Sequence, residues 1–307
     1  MKKAAGAIVL GFLLLNTIAS FHAYKFTHFS TADGSRTKTP EKLTSFEKLS
    51  AAFFGISNPR PQNEAVPQQP FQTVSISGSP RLECWKINVE NPIGTVILFH
   101  GFSASKSSLL LESDFFHQKQ FNVVLVDFVG SGGSEGNETS IGYFEADQVY
   151  RVYENVRTEG ATNVFLFGTS MGAVAIMRAI DLYNIRPSGV MLECPFGSMY
   201  QTVGARFDLM NMPSFPMAGL LVFWGGVLNG FWAFSHNPYK YAKSIDCPTL
   251  LLWGEKDLKV SREETEKIFE GLAGRKELAT LNEAGHENLM RASPVKWQLA
   301  VEQFLTP

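Results

Sequence analysis

The sequence predicts an α/β domain built on a mostly parallel sheet with helices on both faces. Three observations carry this: short continuous apolar runs, helical patterns between most of them, and an alternating hairpin ahead of them. Unbroken apolar runs mark strands buried on both faces. Strands that alternate with helices close a parallel sheet.

The first two strands differ from the rest. Residues 71–77 and 82–89 alternate apolar and polar positions about an S-G-S-P turn, the pattern of an antiparallel hairpin. Buried-strand runs follow at 95–99, 122–126, 163–167, 189–192, 249–253 and 277–281. Helical periodicity covers 107–118, 141–157, 173–183, 261–271 and 294–304. Ser261 and Glu264 make a capping box at one helix start. The interval from 195 to 247 has no strand pattern, and 209–235 holds no charged residue. Residues 215–234 match a membrane span in length and apolarity. Their proline, glycines and Asn229 favour short broken helices instead. The expectation is a helical cap, about 197–245, inserted after the sixth strand over the C-terminal edge of the sheet.

Ahead of this body lies a different texture. Lys2 and Lys3 precede an apolar core at 4–15, and the next charge is Lys25. That is the layout of a signal peptide. Cleavage after Ala19 or Ser20 and an uncleaved anchor are both open, since residues 4–24 as a helix would extend about 30 Å. Either form carries the body across the membrane, because the lysines stay inside. The division expected is 1–25 as signal peptide or membrane anchor, 26–70 as a polar, proline-rich tether and entry segment, and 71–307 as the α/β domain. Its location would be exported or membrane-anchored and extracytoplasmic, on the periplasmic side in a bacterium.

Composition narrows the function. Of 307 residues 45% are hydrophobic and 18% charged, with a net charge of −2. No basic stripe appears, so nucleic acid is not an expected partner. Cys84, Cys194 and Cys247 are scattered, which gives neither a disulfide framework nor a metal site. No metal-spaced His/Asp/Glu set and no Gly-x-Gly-x-x-Gly turn is present, so no metal or cofactor is expected.

Ligands of open α/β sheets sit beyond the carboxyl ends of the strands. Those ends offer His100-Gly101-Phe102, then Asp127, Ser170, Glu193, Asp257 and, after the last strand, His286. A serine hydroxyl needs an adjacent base to act as a nucleophile. A histidine held in one tautomer by a carboxylate is such a base. Ser170, His286 and Asp257 supply these three groups. The backbone N–H groups of Met171 and Phe102 are the natural donors to an oxyanion. Gly168 and Gly172 flank the serine because a strand-to-helix turn this tight leaves no room for bulk. His100 is expected to shape the oxyanion turn and Asp127 to fix its loop. Glu193 is the reserve acid.

These motifs, G-T-S-M-G, H-G-F, D-F-V-G-S-G-G-S, W-G-E-K-D and G-H-E in that order, resemble the α/β-hydrolases, in particular the serine-aminopeptidase-like and monoacylglycerol-lipase-like branch. The resemblance covers residues 71–307. It implies an eight-stranded sheet, a helical cap after the sixth strand, and the order nucleophile, acid, base. Carried onto this chain, Ser170 is the nucleophile, Asp257 the acid, His286 the base, and Phe102 with Met171 the oxyanion hole. One position departs from the family pattern: Val129 stands where an arginine is usual. The function expected is hydrolysis of carboxylic esters, small or lipid-like. The rivals are a peptidase removing N-terminal residues, which needs an acidic anchor such as Glu193, and a catalytically silent membrane-anchored binding module.

Overall fold

The structure, a computed structural model, describes residues 2–30, 35–37 and 43–306. The chain opens with α1 (Lys2–Thr27) and α2 (Ser45–Phe54), then β1 (Gln72–Ile76), β2 (Leu82–Ile87) and β3 (Gly94–Phe99). Next come α3 (Leu110–Gln118), β4 (Phe121–Val126), α4 (Glu145–Thr158), β5 (Val164–Thr169), α5 (Met171–Tyr183) and β6 (Gly189–Glu193). After the inserted helices α6 (Met199–Met210) and α7 (Met217–Asn229) come α8 (Pro238–Tyr241), β7 (Thr249–Gly254), α9 (Arg262–Gly271), β8 (Lys276–Leu281), α10 (Leu289–Ala292) and α11 (Pro294–Leu305).

These elements form two compact units. One comprises Met1–Pro59 and Ser198–His236; the other comprises Arg60–Gly197 and Asn237–Pro307. The larger unit is built on an eight-stranded sheet in the order β1-β2-β4-β3-β5-β6-β7-β8. Only β2 runs antiparallel to its neighbours. All other pairings are parallel. This is the mostly parallel eight-stranded sheet that the alternating pattern predicts. Central strands are sealed on both faces: β7 is buried throughout and β3 from Thr95 onward. The edge strands β1 and β8 are only partly buried, which is why their sequences read less cleanly. The chain steps out from β3 to β4 and then returns across β3 to begin β5, so the topological switch point of the sheet lies between β3 and β5.

The largest shift among the helix starts has a local reason. The helix expected from 141 starts at Glu145. The Glu145 carboxylate draws the preceding turn around itself, accepting from Thr139 Oγ1, Ser140 N and Gly142 N. Ile141 and Gly142 take positive φ there. The segment from Arg60 onward is bonded to the loop after β4. Arg60 donates to the carbonyls of Gly132, Gly136 and Ser134, and Asn63 Nδ2 donates to Asp127 Oδ2.

In the smaller unit α1 and α7 pack along each other. Ala19, Ala23 and Thr27 are buried on α1, and Ala218, Val222 and Gly226 on α7. Both sets recur every fourth residue and so lie on one face of each helix.

Candidate active site

The site is built entirely within the larger unit, from the carboxyl ends of β3, β5, β7 and β8. Ser170 caps α5 with φ 49° and ψ −108°, a conformation that serine rarely adopts. Its N–H donates to the Glu193 carbonyl at 2.7 Å, which pins the turn to the end of β6. The flanking glycines are required by contact. A Cβ at Gly172 would stand 2.3 Å from the Phe99 carbonyl oxygen, and one at Gly168 2.6 Å from Ala173 N. The strained turn therefore lifts Ser170 out of the sheet while α5 starts at once against β3.

Three predicted side chains meet in one chain of hydrogen bonds. His286 Nε2 lies 3.0 Å from Ser170 Oγ, and His286 Nδ1 lies 2.7 Å from Asp257 Oδ2. A carboxylate only accepts, so Nδ1 carries the proton and Nε2 is left to accept from the serine. Asp257 Oδ1 accepts from Lys259 N at 2.7 Å and Val260 N at 2.9 Å. Burial pushes the Asp257 carboxyl up. The bond and charge of His286, with the two backbone donors, outweigh that and hold it below the ordinary carboxylate value. An ionised group is thus fixed at the inner end of the chain.

Met171 is the first residue of α5, where a helix leaves its N–H without an intrahelical partner. The Gly101 turn packs against Ser170: a Cβ at Gly101 would lie 3.7 Å from Ser170 Cβ. Phe102 follows Gly101 in that turn. His100 supports that turn. Its Nδ1 donates to the Gly101 carbonyl at 2.8 Å and its Nε2 accepts from Phe128 N at 3.1 Å. Burial holds its pKa below the ordinary imidazole value, so it is neutral and structural.

Asp127 anchors its loop by accepting from Lys106 N and Gly133 N. It also forms an ion pair with the fully buried Lys106, which pairs with Glu83 at 2.8 Å and lies over Trp85. Lys106 gave no signal in the sequence, where it reads as an ordinary surface lysine.

Glu193, the reserve acid, does not reach His286. Its Oε1 accepts from Trp297 Nε1 in the core. Burial, then the neighbouring Glu112 carboxyl, raise its pKa well above the ordinary value. Glu112 accepts from Asn288 Nδ2 at 2.6 Å, two residues beyond His286. Burial pushes Glu112 up to about 7 against that bond. Each acid also leaves its Oε2 buried without a hydrogen bond. These acids sit behind the histidine loop and were not singled out as a pair from sequence.

The raised Glu112 has a measurable consequence. The folded chain keeps a proton that the unfolded chain releases near pH 4.5, so stability falls as pH rises from about 4.5 to about 7. A shift of that size is worth about 3 kcal/mol. Glu112→Gln keeps the shape of the protonated acid and should lessen the decline, leaving the part that Glu193 contributes. Thermal unfolding at pH 5 and pH 8 checks this; equal losses in wild type and variant would contradict it.

Cys194 Sγ, Asp257 and His286 also offer ligand atoms within 4.8 Å of one another. Burial, then the Asp257 charge, raise the Cys194 thiol well above its ordinary value, which keeps it protonated and poor as a ligand.

Comparison with known proteins agrees with this fold. Residues 90–222 match the family described as serine aminopeptidase, S33. An uncharacterized protein of Bacillus subtilis, YqkD, is 24% identical over 217 residues, covering 69% of this chain and 70% of its own. An uncharacterized membrane protein of Saccharomyces cerevisiae, YNL320W, is 24% identical over 153 residues, 49% of this chain and 54% of its own. Among solved structures, the Pyrococcus furiosus esterase Pf2001 superposes with a TM-score of 0.68 at 23% identity, covering 80% of this chain and 96% of that one. An esterase from Exiguobacterium antarcticum gives a TM-score of 0.57 at 18% identity, covering 78% and 100%. Its sheet order and these likenesses give the chain the α/β-hydrolase fold, and its residues 90–222 match the serine aminopeptidase, S33 family.

Proposed function

We propose that the protein is a serine hydrolase that cleaves carboxylic esters, small or lipid-like, through an acyl-enzyme on Ser170. The observation that carries this is the continuous chain from Asp257 through His286 to Ser170 Oγ. His286 takes the Ser170 proton as Oγ attacks the ester carbonyl, and Asp257 steadies the imidazolium. The N–H groups of Met171 and Phe102 stabilise the oxyanion. The α5 N-terminus adds its partial positive charge there. His286 then gives the proton to the departing alcohol, and a water activated by the same nitrogen releases the acid.

The peptidase alternative needs an ionised carboxylate for the substrate's amine. Glu193 does not suit, being buried, bonded to Trp297 and favouring its neutral form. A panel of p-nitrophenyl esters beside aminoacyl anilides tests the choice. Turnover of esters with no release from the anilides is expected; the opposite pattern would replace the esterase with the peptidase.

The membrane is proposed as a further partner. α1 is long and apolar enough to cross a bilayer, with mean hydropathy 2.0 over an 18-residue window. The lysines ahead of its apolar core favour a cytoplasmic N-terminus, with the catalytic unit on the other side. A yeast relative carries the description of membrane protein.

A further inference from the structure

Helix α1 is more than a leader in front of a fold. Its C-terminal half is built into the smaller unit, where Ala19, Ala23 and Thr27 are buried. Helix α7 meets it with a matching stripe, Ala218, Val222 and Gly226. Small residues repeating at this interval let two helices approach closely, as helices do in lipid. The pair is also joined by a polar bond: Trp224 Nε1 donates to Asn16 Oδ1 at 3.0 Å.

Three polar side chains in the apolar stretches of the two helices bond back to their own backbones. Asn16 Nδ2 donates to the Phe12 carbonyl at 2.9 Å, Thr17 Oγ1 to the Leu13 carbonyl at 3.0 Å, and Asn229 Nδ2 to the Gly225 carbonyl at 2.8 Å. Hydrocarbon imposes this arrangement, since it offers no partner to a side-chain donor. The outward faces are apolar. Phe12, Leu13 and Leu14 are exposed on α1, and Phe223, Val227 and Leu228 on α7. Trp232 follows at 58% exposure. No charge interrupts 209–235.

Depth along α1 says what covers these faces. Asn16 lies about 20 Å along the helix from Lys3, inside a bilayer core about 30 Å thick. Tyr24 and Lys25 come where the far interface would be, as aromatic and basic residues do. Helix α7, with 13 residues, is too short to cross. It suits a segment that dips into one leaflet beside a spanning helix.

We propose that α1 is retained in the mature protein as the packing partner of α7, and that the two helices sit together in the lipid bilayer. The inference rests on the proposed membrane association of α1 and adds that the inserted segment enters the lipid with it.

The test uses the full chain with its own N-terminus, purified in detergent and reconstituted in phosphatidylcholine–phosphatidylglycerol vesicles. Val227→Cys is labelled with an environment-sensitive fluorophore, and Lys267→Cys, on the larger unit, serves as the aqueous control. The three native thiols are buried, so labelling is selective. Expected results are flotation with the vesicles, an N-terminus uncleaved by intact mass, and a blue shift at position 227. Lipids carrying nitroxides on their acyl chains should quench position 227 and leave position 267 unchanged. Flotation with an unshifted, unquenched label at 227 would overturn the proposal while the anchor stands. A mature protein shortened by the α1 residues would also overturn it. A chain that fails to float and elutes as a dimer, with 227 shielded, would overturn both readings and assign the apolar face to a second copy.

Discussion

Replacing Ser170 by alanine removes ester turnover, with a loss of roughly 10⁴- to 10⁶-fold in kcat. In the proposed mechanism the loss is large because Oγ is the atom that forms the bond to the acyl carbon, and no other hydroxyl is bonded to His286 Nε2 among the described residues. The fold should be unaffected. Alanine fits wherever serine does, and the turn is held by the Ser170 N–H to the Glu193 carbonyl and by the glycine contacts with β3, none of which uses Oγ. Unfolding midpoints of the two proteins should therefore agree while steady-state rates separate. A variant that keeps wild-type rates on every ester would remove Ser170 from the mechanism.

The second large effect concerns a residue that never meets the substrate in the proposed mechanism. Asp257→Asn keeps shape and size but changes which nitrogen of His286 carries the proton. The Asn carbonyl oxygen would occupy the Oδ1 position, which accepts from Lys259 and Val260. Its NH₂ group would then face His286 Nδ1. With a donor opposite, Nδ1 must accept, so the ring proton moves to Nε2 and points at Ser170 Oγ. A protonated Nε2 cannot take the serine proton, and a loss of about 10⁴-fold in kcat is expected. The KM for a short-chain ester should move little, because Asp257 contributes orientation rather than contact. A loss seen in KM alone would show that Asp257 shapes the substrate site instead.

Much of this was legible in the sequence because the informative residues lie where local rules are strong. Buried parallel strands announce themselves as unbroken apolar runs. Gly168 and Gly172 bracket Ser170 because backbone atoms approach them too closely for any side chain. Asp257 and His286 follow the last two strands, so their meeting was a matter of topology once the parallel sheet was inferred. What stayed hidden depends on pairings distant in sequence. Lys106 lies inside the protein because Asp127 and Glu83 receive it. Glu112 is tied to Asn288 across 176 positions. No periodicity encodes such pairs. The alliance of α1 with α7 was hidden for the same reason: each reads as an isolated apolar segment, and only the Asn16–Trp224 bond and the facing small-residue stripes connect them.

The central claim is an activated serine at position 170. Reaction of the full-length protein with a fluorophosphonate, read by intact mass beside Ser170→Ala, tests it most directly. One adduct on wild type and none on the variant is the predicted result. A well-folded wild type that takes no adduct, or a variant that still takes one, would contradict the account. The first outcome would leave a hydrolase fold used for binding, and the second would move the nucleophile elsewhere in the chain.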